Sequence, residues 1–250
     1  MKAVELAGYI DDLLNVEIIR DSSLNGLQVE NEKEISKIVM AVDASLATIN
    51  RAKAAQADML IVHHGLYWGK PLPVTGMHYK RIKRLIDLDI ALYAVHLPLD
   101  VHPELGNNVQ LAKAFDWEIR GEFGIDNGLP LGIEVRFKIP QTVLEIADVL
   151  NEKFKMKSDV WDFGPAEIRK MGIITGGGIG FIEQAKEYGL DALLTGEPRH
   201  SAYWTARELG LNVILAGHYV TETLGVKALG RHLKSQFDLS VKFVDLPTGY

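Results

Sequence analysis

Residues 37–64 read KIVMAVDASLATINRAKAAQADMLIVHH, and residues 170–197 read KMGIITGGGIGFIEQAKEYGLDALLTGE. The two stretches overlay without a gap: Ile49, Ala52, Lys53, Asp58 and Leu60 fall on Ile182, Ala185, Lys186, Asp191 and Leu193. Each runs from an apolar, β-branched segment through a helical pattern to an Asp and a second short apolar segment. In the first copy the pattern predicts a strand over Ile35–Val42, a helix over Ser45–Gln56 with Ser45 as N-cap, and a strand over Met59–Val62.

Outward from this pair the alternation continues. Thr75–Asp87 has helical spacing and Ile90–Val95 reads as a third strand. Ala91–Asp100 then overlays Val213–Glu222, with Ala94 on Ala216, His96 on His218 and Asp100 on Glu222. Between the copies, Leu131–Lys138 alternates like a strand and Gln141–Phe154 follows Pro140 as a helix. The βαβα order predicts an α/β protein with mostly parallel strands covered by helices. The repeat predicts two similar α/β halves related by a pseudo-two-fold duplication, residues 1–125 and 126–250, with the C-terminal segment packing back on the first half.

Composition narrows the chemistry. The chain has 250 residues and no cysteine, which excludes disulfides, thiolate zinc sites, iron–sulfur clusters and cysteine nucleophiles. A metal would have to sit on His, Asp and Glu. The formal net charge of -6 gives no general attraction to polyanions, so nucleic acid is not the favoured partner. The run Lys80, Arg81, Lys83 and Arg84 reads as a solvated helix face. No apolar run approaches the ~18 residues that span a bilayer. The N-terminal pattern contains acidic residues, unlike a signal peptide. No membrane partner and a cytoplasmic location are therefore expected.

The residues that carry chemistry stand where the predicted strands end. The second strand of each copy runs into His63-His64 or Gly196-Glu197, and the third into His96-x3-Asp100 or His218-x3-Glu222. Carboxyl ends of parallel strands are where α/β proteins bind ligands. Imidazole suits zinc, nickel, cobalt and iron, carboxylate suits manganese, and a carboxylate can bridge two ions ~3.5–4 Å apart. A single strand histidine is commonly a hydrogen-bonded structural residue, but two adjacent ones after an apolar strand need partners or water.

Other positions have two readings each. Gly176, Gly177 and Gly178 between a strand and a helix either hold an anion or permit a tight turn. Asn25 marks a turn with Gly26 or reaches a ligand. His200 contacts substrate or only starts a helix, and His96 contacts substrate or supports a ligand. Trp68 and Trp204 read as packing aromatics.

These same residues resemble a known family, the Nif-three-like family, also called GTP cyclohydrolase 1 type 2. The resemblance rests on Asn25-Gly-Leu-Gln-Val29, the pair His63-His64, His96-Leu97-Pro98-Leu99-Asp100, and Gly217-His218-Tyr219-Val220-Thr221-Glu222. It implies two divalent metal ions (Zn, Mn, Fe, Ni or Co) on His63, His64, Asp100, His218 and Glu222, with Glu222 as the bridge. It also implies a homohexamer built as a trimer of dimers. The implied activity is hydrolytic opening of the guanine ring of GTP, or attack on another nucleotide or small anionic substrate. Glu222 and a proton-shuttling His200 would be catalytic, while Gly176–Gly178, Asn25 and His96 would contact substrate. The alternative is a metal-containing ring that binds nucleic acid or a regulatory protein. Gly65 replaces a common proline after the histidine pair and Leu97 a common threonine. The first change is expected to loosen the backbone there; the second removes a hydroxyl.

Overall fold

The computed structural model describes Met1–Tyr250 and divides into two compact units. The first comprises Met1–His102 and Gly225–Leu246, the second Pro103–Leu224 and Pro247–Tyr250. The boundary expected after residue 125 thus lies at His102–Pro103, and a late segment of the chain belongs to the first unit.

In chain order the elements begin with α1 (Ala3–Leu14), β1 (Gly26–Val29), β2 (Lys37–Asp43), α2 (Leu46–Ala54) and β3 (Met59–His64). Next come α3 (Gly76–Leu88), β4 (Ala91–Ala94), α4 (Leu97–Asp100) and α5 (Asn107–Ala114). The middle of the chain supplies β5 (Glu118–Asp126), β6 (Leu129–Gln141), α6 (Val143–Phe154), β7 (Asp159–Trp161) and β8 (Ile168–Ile173). A short 3₁₀ turn leads to α7 (Ile182–Glu187), β9 (Ala192–Thr195), α8 (His200–Leu209), β10 (Asn212–Leu215), α9 (His218–Gln236) and β11 (Ser240–Phe243).

The first unit is built on a five-stranded sheet in the order β1-β4-β3-β2-β11, with β11, β2, β3 and β4 parallel and β1 antiparallel. Its central strands β2, β3 and β4 are apolar nearly throughout, as strands buried on both faces must be. Val39, Ala41, Leu60, Val62, Leu92 and Ala94 meet Ile49 and Ala52 of α2 and Leu85 of α3 on one face. On the other, a Cβ at Gly230 of α9 would come within 3.0 Å of Met40, so glycine lets the helix approach. Asp11 of α1 accepts the buried Tyr93 hydroxyl at 2.6 Å, tying that helix to β4. As expected, Ser45 caps α2, its Oγ accepting the Thr48 N–H at 3.1 Å.

The second unit has a six-stranded sheet in the order β5-β6-β8-β9-β10-β7, of which only β8, β9 and β10 are parallel. Alternation along β9 sends Ala192 and Leu194 to a cluster with Ile146 and Leu150 of α6, and Leu193 to one with Ala185 and Ala206 of α7 and α8. The helix predicted after Pro140 starts two residues late because Thr142 and Glu145 form a reciprocal capping box.

Each unit thus holds three parallel strands reached by the same sequence pattern, but the registers correct the overlay. Val62 pairs with Ala94, and Thr195 with Leu215. Ala94 therefore matches Leu215 rather than Ala216, and His96 matches Gly217 rather than His218. His96 is the N-cap of α4, whereas His218 is the first residue of α9. No helix of the chain is long and apolar enough to cross a membrane.

Candidate metal centre

In the first unit the parallel strands deliver their polar residues side by side. His63 and His64 close β3, and the chain leaving β4 supplies His96 and then Asp100. His63 is fully buried, and its ring centroid lies 4.8 Å from that of His64 and 5.0 Å from that of His96. The three histidines bring ring nitrogens within 4.8 Å of one another, a grouping that could hold a metal ion. Asp100 Oδ2 lies 3.5 Å from His63 Nε2.

The hydrogen bonds test whether these residues suit a divalent ion. His63 Nδ1 lies 2.9 Å from the Val95 carbonyl oxygen, and His64 Nδ1 lies 2.9 Å from Asp43 Oδ1. His96 Nδ1 lies 3.1 Å from both oxygens of Asp21. A carbonyl or ionised carboxylate only accepts, so each Nδ1 carries the proton and a neutral ring keeps its lone pair on Nε2. This is how metal-binding histidines are commonly oriented from behind. The donor set fits.

Sequence reasoning missed the carboxylates behind the histidines. Asp43 ends β2 in register with His64 on β3, so the pairing follows from strand alignment. Asp21 lies in the loop after α1. Burial by itself would raise its carboxyl, but the hydrogen bond and charge of His96, with donors from Ser23 and Asn25, bring it well below the usual carboxylate range. Asn25 occupies the same network: its Oδ1 accepts the His96 N–H at 2.8 Å and its amide donates to Asp21 at 3.1 Å. The Leu97 N–H also donates to Asp21, at 2.9 Å.

Gly65 sits at a point of close packing. A Cβ there would overlap the side chains of Gln28 and Ala94. The Gln28 amide bridges the loop, accepting the Leu66 N–H at 2.7 Å and donating to the Leu24 carbonyl at 2.6 Å. Trp68 packs beside the cluster. Its ring lies 5.0 Å from His96 and 5.8 Å from His64, yet remains 38% exposed.

In the second unit, His218 and Glu222 stand one turn apart at the start of α9, with His218 Nε2 3.1 Å from Glu222 Oε2. His218 Nδ1 lies 3.1 Å from Oε2 of Glu197, which follows β9. The arrangement resembles that of His63: an oxygen acceptor behind the ring and Nε2 turned toward a carboxylate. With Nδ1 protonated, Nε2 meets the buried Glu222 oxygen lone pair to lone pair unless a proton or a metal ion lies between them.

The glycine loop is built around that carboxylate. Gly176 has φ +63, and a Cβ on it would fall on Glu222 Oε1. Its N–H donates to Thr221 Oγ1 at 3.1 Å, and the Thr175 N–H donates to Asn108 Oδ1 at 2.8 Å. These two N–H groups are directed within the unit instead of toward a bound anion. A Cβ at Gly178 would overlap Ile174, while one at Gly177 would meet open space. His200 is the exposed first residue of α8.

The Duf34/NIF3 (NGG1p interacting factor 3) family profile matches residues 1–248. A relative from Pyrococcus horikoshii, named GTP cyclohydrolase 1 type 2 homolog, is 47% identical over 248 residues, covering 98% of each chain. One of the same name from Yersinia pestis is 43% identical, covering 99% of each. Among solved structures, a structural-genomics structure titled protein ybgI, unknown function, superposes with a TM-score of 0.94 at 40% identity over 100% of both chains. Reduced HcgD from Methanocaldococcus jannaschii gives a TM-score of 0.85 at 30% identity, covering 98% of each.

Proposed function

Because this chain belongs to the Duf34/NIF3 family, we propose that it is a divalent-metal-dependent hydrolase acting on a nucleotide or related phosphate-bearing substrate. The observation that carries the reading is the common orientation of the histidines. Each places Nδ1 against an oxygen acceptor, so the ring's lone pair lies on Nε2, the orientation in which metal-binding histidines are held from behind. In this reading two divalent ions are held by His63, His64 and Asp100 of the first unit and by His218 and Glu222 of the second. Nitrogen and oxygen donors of this kind admit zinc, manganese, iron, nickel or cobalt.

When bound, such ions supply Lewis acidity and a water nucleophile at neutral pH. The chain's own residues do the rest. Asp43 and Glu197 hold the rings of His64 and His218 and increase their basicity as donors. Asp100 in the first unit and Glu222 in the second each offset part of the charge of the ion beside them, and the remaining positive charge suits an anionic substrate. The name shared by the relatives, GTP cyclohydrolase 1 type 2 homolog, makes GTP the first substrate to test.

The test is elemental mass spectrometry on the wild type, His63→Ala and Glu222→Ala, followed by GTP turnover with and without chelator. The expected result is about two ions per wild-type chain, a sharp fall in both variants, and formate or phosphate release that chelator abolishes. Wild-type protein that takes up no zinc, manganese or iron would overturn the proposal. Metal-loaded protein that holds GTP without turnover would leave a binding role in its place.

A further inference from the structure

Trp68 sits beside the histidine cluster in an arrangement that packing alone does not require. Its backbone is pinned by a bridge to Ser23 and by the Gly69 N–H, which donates to the Ser22 carbonyl at 2.6 Å. Its indole N–H donates to the Gly65 carbonyl at 3.2 Å, so the side chain is tethered and its one polar atom is already engaged. The neighbouring Tyr67 turns the other way, into the core and against His78. Trp68 meets His96 edge-to-face at 74° and His64 at 55°, and the residue as a whole stays 38% exposed.

We propose that Trp68 is the stacking platform for the planar heteroaromatic ring of the ligand that binds at the His63–His64–His96 cluster. A tethered indole with its donor engaged offers a ligand only its π surface, which recognises either a cation or a flat ring. The cation is disfavoured beside a metal ion held by His63 and His64. The flat ring remains, and a nucleobase is the class that stacks on an aromatic side chain through its π face. The other strongly exposed tryptophan, Trp204, differs: the Arg207 guanidinium lies 5.5 Å over its ring.

This inference rests on reading the cluster as a metal-dependent ligand site, and the experiment separates the two. Equilibrium affinities of GTP and of inorganic triphosphate are measured on manganese-loaded wild type, Trp68→Phe and Trp68→Leu, with metal content checked in each. Loss of one base stack predicts GTP binding roughly 5- to 100-fold weaker in Trp68→Leu, with a smaller loss in Trp68→Phe. Triphosphate affinity should stay unchanged in both variants. Unchanged GTP affinity in Trp68→Leu overturns the proposal. An equal loss for GTP and triphosphate, or a loss of metal, also overturns it, because Trp68 would then serve the cluster instead of the ring. Base-selective loss without any GTP turnover upholds the stacking role while removing the hydrolase reading. Wild type that binds neither ligand sinks both.

Discussion

Asp58 and Asp191 hold the same place in their two sheets, each turning Oδ2 onto two successive N–H groups at the start of the adjacent parallel strand. Asp58 accepts from Ser36 and Lys37 at 3.0 and 2.8 Å, and Asp191 from Arg169 and Lys170 at 2.8 and 2.9 Å. The short sequence repeat therefore has a structural cause: an Asp that caps the neighbouring strand before entering its own.

Removing the Asp58 cap should cost about 1 kcal/mol, because Asp58→Ala removes hydrogen bonds to two backbone donors of the exposed residues Ser36 and Lys37. Burial alone would raise the Asp58 carboxyl, but the N–H groups of Lys37 and Ser36, the Ser36 hydroxyl and Lys33 bring it below its ordinary value. A carboxyl lowered on folding adds stability that is present above its unfolded value of ~3.9 and is lost as pH falls through the folded value. In urea unfolding, the gap between wild type and Asp58→Asn should stay level from about pH 7 to about pH 5 and close below about pH 4. A gap independent of pH would contradict the assignment.

Asp43→Ala should weaken metal binding by roughly 10- to 100-fold, since His64 would lose the acceptor that orients its ring. Asp43→Asn keeps one carbonyl oxygen and should lose less. Titration of metal-free protein with zinc distinguishes them, and equal affinity in all three proteins would show that Asp43 does not orient a ligand.

Gly176→Ala introduces a Cβ at positive φ and directly onto the Glu222 carboxylate. Glu222 is almost fully buried, so it has little room to retreat. The variant should lose about 1–3 kcal/mol of stability together with metal occupancy. Gly177→Ala, whose Cβ meets open space, should change neither. Thermal melts and metal analysis of the pair check both halves of the claim.

Gly65→Ala should destabilise the first unit by about 1–3 kcal/mol, because its Cβ overlaps the Gln28 amide and Ala94. Trimming Gln28 to Ala should relieve part of that strain, the overlap with the Ala94 Cβ remaining, while separately costing the loop its bridge between Leu24 and Leu66. A double-mutant cycle on denaturant unfolding measures the coupling; additive losses would place the two residues out of contact.

The histidine cluster was partly legible in advance, for a local reason. His63 and His64 follow four apolar residues, and their position at the end of β3 depends only on period and strand length. Asp21 and Asp43 were not legible, because each reaches its histidine across the sheet or through a loop. His96 and His218 share the spacing to a carboxylate four residues on, which invited an overlay that the strand registers shift by one position.

By itself, then, the sequence determined the alternation of strands and helices, the Ser45 cap and the polar strand ends. All of these depend on residues near one another in the chain. Tertiary structure alone decided that β11 joins the first sheet beside β2, that the units divide at His102–Pro103, and which oxygen stands behind each histidine. Those outcomes are set by pairings between distant segments, where one residue of register reverses the face a side chain occupies. Local periodicity carries no record of that choice.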